Sequence, residues 1–381
     1  MPPVNMLIKP ASSKCNMRCK YCFYTAIAME RETADMGIMS DSTLESLIKS
    51  GIEYADGIVS FAFQGGEPTL AGLDFYKKAV ELQNKYLNES NKRLEVHNAL
   101  QTNGLVINEE WAKFLHDNNF LVGLSMDGPI NVHDKNRVDA AGHGTFERIM
   151  RTIELFDKYK VEYNILSVVT GQNAMAVRRI YNFYKKHNFK YLQFIPCLEP
   201  IEEERGSESY HLSVQEYGDF LINIFDLWYN DFVNGNYISI RHIDNWIGMI
   251  LGDRPEACNM NGHCSIQFVI EGDGGIYPCD FYVFDQWKLG TIGETSLEDI
   301  VKSDKAQAFL KESFPIPEEC KKCRYGALCR NGCKRDRIQN SAEEVMKNYY
   351  CKAVYRFFSE REDKLMNAAS IVRKARMQGI R

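Results

Sequence analysis

Twelve cysteines stand out in this chain of 381 residues, and all but Cys197 fall into two groups. Cys15, Cys19 and Cys22 read C-x3-C-x2-C near the N-terminus, while Cys258, Cys264, Cys279, Cys320, Cys323, Cys329, Cys333 and Cys351 fill one C-terminal stretch. Thiolate is a strong ligand for zinc and for iron, and cysteines spaced so closely have metal-binding spacing. A tetrahedral zinc or a cubic four-iron cluster normally wants four protein ligands. Three in one loop therefore mean a zinc site with a distant fourth ligand, or a cluster with one iron left open to a small chelating molecule. The eight others suffice for two fully ligated sites, of zinc or of iron and sulfur. Cys197, alone, reads as a small buried hydrophobe.

Hydrophobic residues make up 45% of the chain and charged residues 25%, which suits a packed core and not disorder. The length exceeds the roughly 250 to 300 residues that one core organises, so one large domain plus a smaller one is expected. A formal charge of −5, from 46 basic and 51 acidic residues, gives no footprint for nucleic acid or an anionic membrane surface. The basic tail at Arg373, Lys374 and Arg376 reads as a solvated helix end. No run approaches the roughly 18 apolar residues of a membrane span, and MPPVNMLIKPASSKC lacks a signal-peptide core. A cytoplasmic location is expected, where a reducing thiol pool disfavours structural disulfides.

The elements that must position these cysteines are legible in the apolar pattern. Short β-branched or aromatic runs alternate with segments of helical period, as in repeated βα units around a parallel sheet. Six strands are expected: Val4 to Ile8, Ile58 to Phe63, Leu94 to Leu100, Phe120 to Ser125, Val161 to Val169 and Tyr191 to Ile195. Leu44, Leu47, Ile48 and Ile52 share one helix face, and Phe146, Ile149, Ile153 and Phe156 another. Polar, glycine-rich clusters follow the strands: Ser12 to Cys22, QGGEP at 64 to 68, QTNG at 101 to 104, SMDG at 125 to 128 and CLEP at 197 to 200. In parallel α/β folds such loops share one mouth, where ligands bind. Six units make a partial open (β/α)6 barrel with a lateral gap. After about residue 250 the text becomes loop-rich, with one hairpin in QFVIEGDGGIYPC turning at Asp273 and Gly274. The expected division is a barrel over 1–245, a small cysteine-rich domain with hairpin and helices over 246–360, and a helical tail over 361–381.

The C-x3-C-x2-C loop directly after the first strand, with GGEP after the second, resembles the radical S-adenosylmethionine (SAM) enzymes. The resemblance implies a 4Fe–4S cluster on Cys15, Cys19 and Cys22 whose open iron chelates S-adenosylmethionine, and reductive cleavage to a 5′-deoxyadenosyl radical. It further implies cofactor contacts at Gly65, Gly66 and Glu67, at Tyr21 through its backbone, at Ser125 and Arg137 beside ribose and carboxylate, and at Leu198 along the adenine. The C-terminal spacing is similar to the SPASM extension of that family, which carries two auxiliary 4Fe–4S clusters, making three in all. The pattern assigns Cys258, Cys264, Cys279 and Cys333 to the first auxiliary cluster, and Cys320, Cys323, Cys329 and Cys351 to the second. Full ligation favours electron transfer at both. Two structural zinc sites are the rival reading of the spacing, but zinc is redox-inert and cannot take the electron that a radical oxidation releases.

Within the SPASM group, SFAFQGGEPTLAGL at 60 to 73, SMDGP at 125 to 129 and YPCDFYV at 277 to 283 resemble the anaerobic sulfatase-maturating enzymes. That resemblance implies oxidation of cysteine or serine in a C/S-x-P-x-R segment of an unfolded sulfatase to Cα-formylglycine, with a flavodoxin or ferredoxin as reductant. The chemistry needs a base, and Asp280, next to Cys279, is the candidate catalytic residue. Tyr24 and Gln64 flank the cofactor loops as candidate substrate contacts. His133 reads as exposed or locally paired. The nearest alternative is another SPASM peptide maturase, such as a thioether-forming enzyme; with fourteen residues before Cys15, no leader-binding domain is expected. A non-catalytic cluster protein would leave the triad and GGEP unexplained.

Overall fold

Strands form where β-branched and aromatic residues alternate with smaller ones. In the computed structural model, which describes residues 3–201, 203–340 and 343–379, β1 (Val4–Ile8), β2 (Ile58–Phe63), β3 (Glu95–Thr102) and β4 (Phe120–Ser125) run parallel in that order. They belong to one of two compact units, made of the residues up to Met126, His133–Asn164 and Ser265–Phe309. The other unit comprises Asp127–Val132, Ile165–Cys264 and the residues from Leu310 onward. There β5 (Tyr163–Val169), from Ile165 on, β6 (Tyr191–Pro196) and β7 (Ser239–Ile240) are again parallel neighbours. β3 ends two residues later than its apolar run because Gln101 and Thr102 still pair with Gly123 and Leu124. β5 begins two residues later than expected, and the two-residue β7 is too short to show any period.

One face of the first sheet carries Met6, Ile8, Val59, Phe61 and Phe63, all sealed from solvent. Helix Asp41–Tyr54 covers it through Leu44, Leu47, Ile48 and Ile52, and approaches so closely that a Cβ on Gly51 would meet Met6 Sδ at 2.5 Å. Ser40 caps this helix by accepting from Thr43 N. Phe63 packs edge-on against Phe75 and Tyr76 of helix Leu73–Ser90. Burial of each such ring contributes about 2 to 3 kcal/mol. Phe146, Ile149, Ile153 and Phe156 are likewise the buried stripe of helix Phe146–Tyr159.

The hairpin forms at the expected turn: β8 (Val269–Ile270) and β9 (Gly275–Tyr277) pair antiparallel, and Gly274 takes φ +86°. Its place in the sheet was not legible. β8 lies parallel to β1, with Leu7 opposite Val269 and Ile8 opposite Ile270, and Lys9 N donates to Ile270 O at 2.8 Å. The pairing carries the Cys279–Asp280 segment to the end of β1. β10 (Gly290–Thr291) closes this edge against β9.

In the second unit, helix Val214–Val233, opened by a capping box at Ser213 and Glu216, packs against helix Cys351–Met377. Phe357 stacks on Trp246 and meets Phe225 edge-on. Around Cys320 to Cys333 the described residues form two short helices, Glu318–Lys321 and Gly326–Cys329, followed by a ribbon of β11 (Arg337–Asn340) and β12 (Glu343–Asn348).

Candidate active site

The loop bearing Cys15, Cys19 and Cys22 leaves β1 and is braced on both sides. Glu67 N donates to Lys14 O at 2.7 Å. Gly66 sits at φ +54°, and a Cβ there would fall 2.4 Å from Lys14 O and 2.7 Å from Ser12 O, so only glycine lets the two loops touch. Glu67 is buried, and its carboxylate is spent on protein donors: Thr69 Oγ1 at 2.6 Å, Thr102 Oγ1 at 2.7 Å and Asn103 N at 2.8 Å. Burial raises its pKa against those hydrogen bonds. Asn103 Nδ2 in turn donates to Asn16 Oδ1 at 2.8 Å. On the far side Arg18 N and Lys20 N donate to Val138 O and Asn136 O. Three loops thus converge on the triad.

Within that frame Tyr21 is buried, and the Arg137 guanidinium lies 5.4 Å from its ring centroid and 4.0 Å from Cys19 Sγ. Met17 N donates to Cys15 Sγ at 3.3 Å, and burial pushes the Cys15 thiol up to about 11. Ser125 is buried at the C-terminal end of β4. Leu198, also buried, follows β6 in the second unit, where Cys197 N donates to Val169 O and Cys197 Sγ to Tyr210 O. Cys197 is the buried hydrophobe expected of it.

Asp280 opens a short 3-10 turn directly after Cys279. Its Oδ2 accepts from Tyr24 OH at 2.6 Å and from Gln64 Nε2 at 2.9 Å, and Gln64 Nε2 also reaches Tyr24 OH at 3.3 Å. The three residues singled out separately in the sequence are therefore one hydrogen-bonded group. Burial, followed by the charge of Asp280, holds the Tyr24 phenol well above its ordinary range. Lys9, which sequence reasoning missed, stands at the same place with Nζ 3.1 Å from Asp280 Oδ1. Glu271 and Arg31, also missed, pair at 2.6 Å beside it. A lysine or arginine between apolar runs ordinarily reads as exposed, so no local signal marks them.

In the second unit burial holds the Cys333 thiol far above its usual value, and neighbouring Asp336, Cys264 and Cys258 act in the same sense. Cys264 N donates to Ser313 Oγ. The buried Arg337 guanidinium, another residue with no sequence signal, donates to Ser313 O, Gly262 O, Gly332 O and Asn331 O. It ties together the loops that carry Cys264 and Cys333. Cys279 belongs to the first unit. Cys320, Cys323, Cys329 and Cys351 line one cavity of about 330 Å³ with Phe314, Tyr325 and Phe358. Burial pushes the Cys329 thiol up to about 11, and it raises those of Cys320 and Cys351. Among the described residues no three His, Cys, Asp or Glu side chains close on a single-ion site. All-thiol donor sets, partly buried except at Cys258, fit a thiophilic group whose positive charge stabilises the thiolates.

Of the two readings of His133, exposed or locally paired, the structure shows the second: it is fully buried, with Nε2 3.0 Å from Thr145 Oγ1. It is locally paired, and burial together with the Arg137 charge holds its pKa well below the ordinary value.

A Radical SAM superfamily model matches residues 10–184, and an iron-sulfur cluster-binding domain model, SPASM, matches residues 258–324. The chain is 49% identical over 373 residues to the cysteine-type anaerobic sulfatase-maturating enzyme of Clostridium perfringens, covering 98% of this chain and 100% of that one. It is 44% identical to the cysteine-type enzyme of Clostridium novyi, with 97% and 98% covered, and 34% identical to the serine-type enzyme of Bacteroides thetaiotaomicron, with 93% and 89% covered. A solved structure of native anSMEcpe with bound AdoMet and Cp18Cys peptide superposes with a TM-score of 0.92 at 49% identity, covering 97% of this chain and 100% of that one. Fold and site together define a radical SAM protein with a SPASM domain, an α/β chain whose barrel is partial and not closed. The cysteine-rich segment is of the iron–sulfur kind, which sets aside the two-zinc reading. Within that class the chain belongs to the anaerobic sulfatase-maturating enzymes.

Proposed function

We propose that the chain oxidises a cysteine in a C-x-P-x-R segment of an unfolded sulfatase to Cα-formylglycine. Cysteine is preferred to serine in this reading because the cysteine-type relatives are the more similar, at 49% and 44% against 34% identity. The observation that carries the chemistry is the carboxylate of Asp280, next to Cys279 and gripped by Tyr24 and Gln64. When bound, S-adenosylmethionine and the clusters supply the radical that removes a Cβ hydrogen atom and the outlet for the second electron. Asp280 takes the thiol proton, which completes a two-electron oxidation to a thioaldehyde. Its hydrolysis gives the aldehyde and hydrogen sulfide. Tyr24 and Gln64 hold the carboxylate and border the peptide.

For the cofactors, Cys15, Cys19 and Cys22 would hold the cluster with the open iron. Gly65, Gly66, Glu67, Tyr21, Ser125, Arg137 and Leu198 would border S-adenosylmethionine. Cys258, Cys264, Cys279 and Cys333 would hold one auxiliary cluster and Cys320, Cys323, Cys329 and Cys351 the other, three 4Fe–4S clusters in all. A flavodoxin or ferredoxin would supply electrons. No helix among the described residues is long and apolar enough to cross a membrane, and a cytoplasmic site of action is part of the proposal. So is the division of the chain near residues 245 and 360.

The test is anaerobic incubation of the reconstituted protein with S-adenosylmethionine, reductant and paired peptides bearing C-x-P-x-R or S-x-P-x-R. Peptide mass and deoxyadenosine are measured together. Aldehyde on the cysteine peptide is expected; deoxyadenosine without aldehyde on either peptide would move the substrate elsewhere. Asp280→Asn should suppress aldehyde while iron content stays unchanged, and an unaltered aldehyde yield would remove Asp280 as the base.

A further inference from the structure

One buried cation at this site has no part in the reaction so far described. Lys9 follows β1 directly and is only 2% exposed, a position lysine seldom takes without an anionic partner. Its Nζ lies 3.1 Å from Asp280 Oδ1, 3.7 Å from Glu271 Oε1 and 4.5 Å from the centroid of the Tyr24 ring. Glu271 already has a closer cation, with Arg31 Nη1 at 2.6 Å. The charge nearest Lys9 is therefore Asp280. Two cations and two carboxylates share the pocket, and removing one unbalances it.

The ammonium has little freedom to go elsewhere. Its main chain is fixed by the Lys9 N to Ile270 O bond at 2.8 Å. Its stem lies against Gly65, where a Cβ would come within 2.7 Å of Lys9 Cγ and the backbone is at φ +95°. The first glycine of GGEP thus makes room for the stem of Lys9, and the Tyr24 ring confines its other end. The two oxygens of Asp280 are used differently. Oδ2 is engaged by Tyr24 and Gln64, whereas Oδ1 is buried, makes no hydrogen bond and faces Lys9 off hydrogen-bonding geometry.

We infer that Lys9 is a positioning residue for the oxidation: by ion-pair contact with Oδ1, from a stem clamped by Gly65 and Tyr24, it fixes the orientation of the Asp280 carboxylate. The inference rests on Asp280 acting as the base, and the experiment separates the two. Lys9→Met and Lys9→Arg are compared with the parent enzyme on the C-x-P-x-R peptide, with iron content as the folding control. Lys9→Met should lower kcat for aldehyde by about tenfold or more while KM moves less than about twofold, and Lys9→Arg, which keeps the charge, should recover a substantial part of the loss. Thermal unfolding of Lys9→Met, Asp280→Asn and the double variant supplies a readout free of turnover. The double variant should lose less than the sum of the singles, because each single strands a buried charge. An unchanged kcat in Lys9→Met, a loss that Lys9→Arg does not relieve, or strict additivity in the thermal cycle would overturn the inference. Full aldehyde yield in Asp280→Asn would overturn the base reading and this inference with it.

Discussion

The phenol of Tyr24 lies 2.6 Å from Oδ2 of Asp280, across 256 residues of sequence. A short O–H to carboxylate bond, here partly buried, is among the stronger hydrogen bonds a protein makes. Tyr24→Phe removes this donor and keeps the ring over which Lys9 Nζ sits. Hydrogen bonds to charged groups contribute about 1.5 to 3 kcal/mol, so aldehyde formation should slow by about ten- to a hundredfold. Iron content should not change. Single-turnover aldehyde formation measures the effect, and a rate within twofold of the parent would mean that Gln64 and Lys9 hold the carboxylate unaided.

The contact between the two cofactor loops makes a second prediction. Gly66→Ala places a methyl 2.4 Å from Lys14 O at φ +54°, so the triad loop must move. If the triad holds one of three clusters, iron content should fall by about a third while the auxiliary clusters remain. Gly57, at φ +76° with nothing within 4 Å of its would-be Cβ, is the control. Gly57→Ala should cost about 1 kcal/mol of backbone strain and no iron. Iron and sulfide assays with low-temperature EPR distinguish the two.

The strands and the two helix stripes were legible because β-branched alternation and helical period act locally. Tyr24, Gln64 and Asp280 could each be singled out by adjacency to a cysteine or to GGEP. Their union could not, because it depends on β8 pairing with β1. A two-residue strand carries no periodic signal, and Leu7 opposite Val269 is a contact across most of the chain. Lys9 was hidden for a related reason. A lysine at a strand end reads as solvated until the hairpin brings a carboxylate to it. Gly65 was assigned to the cofactor by resemblance, and the closest atoms to its would-be Cβ belong to Lys9. The local pairing of His133 was open to sequence reading, but its partner Thr145, twelve residues on, was not.

Arg337 makes the last prediction. Its guanidinium donates to Ser313 O at 2.7 Å, Gly262 O at 2.8 Å, Gly332 O at 3.0 Å and Asn331 O at 3.2 Å, all from a buried position. Those carbonyls belong to the loops next to Cys264 and Cys333, and Ser313 also receives Cys264 N through its hydroxyl. One planar fork thus gathers segments that have little regular structure of their own. Arg337→Lys keeps the charge but cannot reach four carbonyls, because an ammonium lacks the spread of a guanidinium. Arg337→Met removes every donor and leaves buried carbonyls unsatisfied, at a cost of about 3 to 5 kcal/mol. Both variants should lose the iron of the cluster proposed for Cys258, Cys264, Cys279 and Cys333, with Met the more severe. The four thiols lining the separate cavity at Cys320, Cys323, Cys329 and Cys351 should keep theirs. Chemical denaturation and cluster-resolved EPR measure the two effects. Full iron content in Arg337→Met would mean that the cluster organises these loops without the arginine.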